Sequence, residues 1–138
     1  MSRVLDPLSL PLQGSALIEA SAGTGKTYTI ATLYLRLLLG HGEPATLPRQ
    51  PREILVMTFT RAATEELRER IALRLYEAMT ALREGAPPAS GDALLQRVLR
   101  DYPDPATRAA AIIRLENAFN SVDEASIHTI DAWCHRVL

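Results

Sequence analysis

EASAGTGKTYTI, residues 19–30, gathers small residues around one lysine, between the apolar run Ala16-Leu17-Ile18 and a long leucine-rich stretch. Alanine, serine and glycine fill no core, so something other than side-chain burial selects them here. Ala16 to Ala20 reads as a short buried strand that runs into the glycine loop. From Lys26 to Leu39 the apolar residues Ile30, Leu33, Tyr34, Leu37 and Leu38 recur at helical spacing, and Leu35 and Leu39 widen the stripe until most sides of the helix are apolar. A glycine-rich turn between a buried strand and a helix is what a phosphate cradle requires. Small residues let backbone N–H groups converge on an anion, and the helix N-terminus adds the positive end of its dipole. The cradle is Ala20-Ser21-Ala22-Gly23-Thr24-Gly25-Lys26-Thr27, with Ala20 where the strict signature has glycine. In it Lys26 reaches the β- and γ-phosphates of ATP and the Thr27 hydroxyl ligates Mg²⁺. The plain alternative is a glycine-rich turn that caps a helix and binds nothing.

Outward from the loop, Gly40 ends the first helix and a connection punctuated by Gly42, Pro44, Pro48 and Pro51 follows. Glu53 to Thr58 is a near-continuous apolar run of the kind covered on both faces, so strand, helix, strand predicts a parallel crossover. Thr60 can cap a long helix. On it Ala63, Leu67, Ile71, Leu75, Met79 and Leu82 hold one face, and Glu65, Glu66, Arg68, Glu69, Arg70 and Arg74 cover the other. Gly85 to Gly91 reads as a loop and Asp92 to Arg100 as a short helix. Asp104-Pro105 supplies an N-cap and a first-turn proline for a helix with Ile112, Leu115 and Phe119 on its apolar face. Val122 to Thr129 is a candidate third strand, and a last helix begins near Asp131.

Composition sets the outer bounds. At 138 residues, 47% hydrophobic and 22% charged, the chain has the makeup of one soluble domain or a piece of one. A net charge of −1 creates no overall field for polyanions, so any contact with nucleic acid must be local. The single cysteine, Cys134, forms no internal disulfide, no apolar stretch is long enough for a membrane span, and Met1 to Asp6 lacks a signal peptide's apolar segment. A cytoplasmic protein with no membrane contact is the expectation.

The stretch from Leu5 to Gly40, LDPLSLPLQGSALIEASAGTGKTYTIATLYLRLLLG, resembles the N-terminus of the RecB-type helicase-nucleases, the β subunits of exodeoxyribonuclease V, within the UvrD/Rep-like superfamily 1 DNA helicases. LVMTFTRAATEELRERI, from Leu55, is similar to their motif Ia, and VDEASIHTIDAWCHRVL, from Val122, to motif Ib and the residues before it. The resemblance implies an α/β fold, a RecA-like P-loop NTPase domain with helices flanking a parallel sheet. Residues 1–138 are then the N-terminal part of the ATP-binding domain, stopping in the helix of motif Ib. It also implies ATP and Mg²⁺ as cofactors, single- and double-stranded DNA ends as substrates, other exodeoxyribonuclease V subunits as partners, and a role in double-strand break repair and recombination.

By the same resemblance motif Ia crosses single-stranded DNA, which suits Thr58, Phe59 and Thr60: hydroxyls for phosphate oxygens and a ring that faces a base or packs inward. Arg61 adds a phosphate contact. In motif Ib Thr129 and Trp133 match the family. Asp131 stands where it frequently has histidine, and a carboxylate there repels phosphate. Trp133 stacks on a base or fills core. Gln13 resembles the glutamine that reads adenine.

Two patterns imitate chemistry. Asp123-Glu124 resembles a Mg²⁺-binding acidic box, but a genuine box ends an apolar strand and Asn120-Ser121 interrupts this one. His128, Asp131, Cys134 and His135 fit no familiar zinc spacing. With no acidic pair and no second-domain arginines placed, the expectation is a piece of a larger motor, inactive and poorly folded by itself. The rival readings are a non-catalytic nucleotide-binding fragment and a small-molecule P-loop kinase, in which the same loop would serve a metabolite acceptor.

Overall fold

The computed structural model describes residue 12 and residues 26–41, 47–85, 93–122 and 127–137. The expected first strand, the loop residues Ala20 to Gly25, Gln13, Asp123 and Glu124 lie outside them. What is described is a helix-rich α/β arrangement with a small parallel sheet.

Helix α1 spans Lys26–Leu39 and is buried on most sides, with Ala31, Tyr34, Leu35, Leu38 and Leu39 in the core. Ile30, expected in that stripe, is exposed. The helix stops at Gly40, whose φ of +67° is a left-handed conformation open to glycine at no steric cost. His41 N–H then donates to the Arg36 carbonyl at 3.0 Å, and the buried Arg36 side chain donates through Nε to the His41 carbonyl at 3.1 Å.

The expected strand from Glu53 is shorter. Pro51–Glu53 forms a 3-10 turn, held where Gln50 N–H donates to Glu53 Oε1 at 2.9 Å and Ile54 N–H to the Pro51 carbonyl at 3.2 Å. Proline presets φ and its neighbours close locally, so the ladder begins only at β1, Val56–Thr58. Ile54 enters the core, whereas Leu55 and Met57 are exposed, so coverage on both faces is absent among the described residues.

Helix α2, Arg61–Glu84, is the spine on which α1, α3 (Ala93–Asp101) and α4 (Pro105–Asn120) all pack. Thr64, Leu67, Ile71, Leu75, Ala78, Met79 and Leu82 form its buried stripe. Ala63, expected there, is exposed, and Thr64 takes the inward position one residue on. Arg74, expected on the charged face, is buried, with its guanidinium 4.5 Å from the centre of the Tyr28 ring on α1. Cation–π attraction and an aliphatic stem make that burial tolerable. The helix ends at Gly85, again left-handed at φ +66°, whose N–H donates to the Ala81 carbonyl at 2.9 Å. In α4 the Asp104 carboxylate accepts from Thr107 N–H at 3.2 Å and Pro105 takes the first turn, as predicted, while Ala111, Leu115 and Ala118 face the core.

After α4 the chain forms β2, Ile127–Thr129, and then α5, Ile130–Val137. Of the candidate strand from Val122, Ile127–Thr129 forms a ladder and residues 123–126 lie outside the described residues. Strands β1 and β2 pair in parallel with Val56 opposite Ile127, Met57 opposite His128 and Thr58 opposite Thr129. Among the described residues, α2, α3 and α4 make the crossover between them.

The far end of α1 is tied to α3 by His41 Nε2 against Asp101 Oδ2 at 2.6 Å, and Tyr102 Oη donates to the Leu39 carbonyl at 3.4 Å. Burial raises the pKa of Tyr34 and of Tyr102; the Arg68 charge opposes the first shift, the Arg114 charge opposes the second, and Asp101 adds to the second. Unfolded tyrosine ionises near pH ~10, so these two groups contribute their full stability below that pH and lose it as pH rises above. A denaturant midpoint that falls between pH ~9 and ~11 is the expected result, and Tyr102→Phe reduces the fall.

Candidate functional site

In a parallel sheet the C-terminal strand ends share one edge, and ligands of open α/β sheets gather there. The register places Thr58 beside Thr129 at that edge. Each strand turns into a helix almost at once, α2 from Arg61 and α5 from Ile130, so both helix N-termini open on the same side. Both are capped by threonine. Thr60 Oγ1 accepts from Ala63 N–H at 3.0 Å, and Thr129 Oγ1 accepts from Ala132 N–H at 3.1 Å. A cap satisfies one of the orphan N–H groups of the first turn; those left over and the helix dipole favour an anion.

The turn between β1 and α2 is fixed by a cluster of hydroxyls. Thr58 Oγ1 lies 3.1 Å from the Thr60 carbonyl and Thr64 Oγ1 lies 3.0 Å from it, while the Thr58 and Thr64 hydroxyls hydrogen-bond to each other. Thr64 N–H donates to the same carbonyl at 3.1 Å. With Thr58 and Thr60 both anchored, the residue between them is forced outward: Phe59 is 90% exposed. Of the two readings open in the sequence, base-facing or inward-packing, the ring packs against no core among the described residues. An aromatic ring held in water by its neighbours gives up burial worth about 1.5–3 kcal/mol, and a stacking partner restores it. Thr64 is a member of this cluster that the pattern missed; its signal was a threonine four residues after the cap, where a side chain returns to the same helix face. Arg61 is exposed beside the turn.

Lys26 and Thr27 open α1, and Thr27 is half-buried. The first turn of α1 carries no acidic residue, so nothing in it opposes a phosphate. The side chains of Lys26 and Trp133 fall outside what is described. At the start of α5, Asp131 is exposed, with its Oδ1 3.6 Å from His135 Nε2 in the next turn, and Cys134 is exposed too. Among the described residues no three His, Cys, Asp or Glu side chains meet in a set that could hold a metal. No described helix is long and apolar enough to cross a membrane.

The family described as UvrD/REP helicase N-terminal domain matches residues 5–138. RecBCD enzyme subunit RecB of Escherichia coli (strain K12) is 49% identical over 141 aligned residues, which take in 100% of this chain and 11% of that protein. The subunit of the same name from Haemophilus influenzae is 46% identical over 97% of the chain and 11% of its own length. That from Mycobacterium tuberculosis (strain ATCC 25618 / H37Rv) is 43% identical over 94% of the chain and again 11% of its own length. The chain therefore spans about a tenth of the relatives it matches.

Proposed function

This chain belongs to the UvrD/REP helicase N-terminal domain family, and from that premise we propose that it forms part of the RecA-like ATP-binding domain of a RecB-type, ATP-dependent DNA helicase acting in double-strand break repair and recombination. Membership of a helicase family leaves the small-molecule kinase alternative without support. The relatives carry the name of a subunit of the RecBCD enzyme, which supports other subunits of an exodeoxyribonuclease V assembly as partners and DNA ends as substrate.

The nucleotide end rests on the loop Ala20 to Gly25 with Lys26 and Thr27. Their chemistry fits: a helix start free of acidic residues in its first turn, an ammonium for phosphate oxygens and a hydroxyl for Mg²⁺. When bound, ATP supplies the phosphoryl group whose transfer to water drives movement along DNA. Gln13 is assigned to adenine.

The observation that carries the DNA end is the one sheet edge where Thr58 and Thr129 stand side by side beneath an outward-held Phe59. Thr58, Thr60, Thr129 and Arg61 take phosphate oxygens, and Phe59 stacks on a base. Asp131 repels phosphate and so keeps the strand toward the Phe59 side of the edge. The test is Phe59→Ala in the full-length protein, titrated with a labelled single-stranded oligonucleotide. Loss of one base stack, about 1–3 kcal/mol, weakens binding roughly fivefold to hundredfold. The melting temperature stays put, because the ring covers no core. Unchanged DNA affinity would refute the assignment of this edge.

A further inference from the structure

Helix α2 carries a second feature one turn beyond Thr64. Arg68 is half-buried, and its guanidinium donates through Nη1 to the Val122 carbonyl at 2.8 Å and through Nη2 to the Ile127 carbonyl at 3.1 Å. Those carbonyls stand where α4 is left and where β2 begins. A three-residue parallel ladder is a weak attachment by itself, so two charge-assisted hydrogen bonds decide where β2, and with it Thr129, stands against β1. Helix α2, which carries Arg68, also packs along α1, and the Arg68 charge opposes the upward pKa shift of Tyr34, buried on α1. One side chain therefore ties the strand that carries Thr129 to α2, the helix that packs on α1 and whose start holds Phe59 in place.

We infer that Arg68 is a positioning residue that locks the phosphate-loop helix and the two DNA-facing strand ends into one unit, so that the state of the nucleotide site is felt at Thr58 and Thr129. The inference rests on the helicase reading above. Arginine suits the task because its planar fork presents several donors in fixed directions; lysine offers one compact ammonium that cannot span both carbonyls in the same way.

The experiment compares full-length unmodified protein, Arg68→Lys and Arg68→Met, measuring ATP hydrolysis against single-stranded DNA concentration, KM for ATP and thermal unfolding. Residues that couple two sites shift that coupling by amounts that correspond to about twofold to thirtyfold. Arg68→Met is expected to lose DNA stimulation within that range with KM for ATP unchanged, and Arg68→Lys to fall between it and the unmodified protein. Equal stimulation in all three overturns the inference while leaving the helicase reading intact. So does a loss of basal and stimulated hydrolysis in equal proportion, which is what a merely structural role produces. If Arg68→Met fails to fold, Arg68→Lys decides by the same split. An unmodified protein whose hydrolysis ignores DNA removes the helicase reading, and this inference with it.

Discussion

Lys26→Ala in the full-length protein is expected to abolish ATP hydrolysis, with a fall in turnover of at least about 10²–10³-fold, the loss that follows removal of one group stabilising charge in a transition state. The lysine opens α1 directly after the glycine loop, and the proposed role sets its ammonium against the phosphates together with the helix dipole. Steady-state hydrolysis with saturating Mg²⁺ and single-stranded DNA measures it. Lys26→Arg keeps the charge but spreads it over a wider planar group with a different donor geometry, so it rescues little. Because Lys26 lies at a helix end, the melting temperature should move little, and an inactive variant is then not an unfolded one. Full hydrolysis by Lys26→Ala would overturn the phosphate-loop assignment, and with it the reading of Thr27 as the Mg²⁺ ligand.

Leu75→Ala is expected to have the largest effect on the fold. Leu75 is fully buried at 0% exposure on α2, the helix on which α1, α3 and α4 all pack. Truncation there removes transfer energy and leaves a cavity that three neighbouring helices can close only by moving, at a cost of about 2–5 kcal/mol. The measurement is amide hydrogen exchange in α1, α2 and α4, which accelerates tens- to thousands-fold as that energy is lost. Tyr76→Ala, one residue on and 55% exposed, is the control, expected to stay near neutral apart from its tilted contact with Phe119. If both variants exchange alike, α2 is not the spine.

What the sequence by itself determined is local. Gly40 and Gly85 stop helices because only glycine takes positive φ without strain, and Thr60 and Asp104 start them because a short polar side chain reaches back to a free N–H. The periodicity of α2 declared most of its apolar buried face, because burial there is decided along one helix, whereas on α4 it declared Leu115 and missed Ala111 and Ala118, with Ile112 and Phe119 only half-buried. Family membership was legible too, carried by the small-residue loop and by the Thr-Phe-Thr turn. Tertiary structure decided the rest, where the answer depends on what lies opposite. Arg74 is as charged as its exposed neighbours on α2, and the Tyr28 ring across from it helps make its burial acceptable. Pro51 and Glu53 closed a turn that cut the apolar run short of a full strand. Phe59 could equally have filled core; the hydroxyls of Thr58 and Thr64, which meet only when β1 and α2 fold onto each other, turn it to solvent. That Thr58 stands beside Thr129, and that Arg68 ties α2 to the start of β2, are facts of pairing across more than fifty residues of chain. No periodicity encodes such a meeting, because it depends on how the helices connecting the two strands pack against one another.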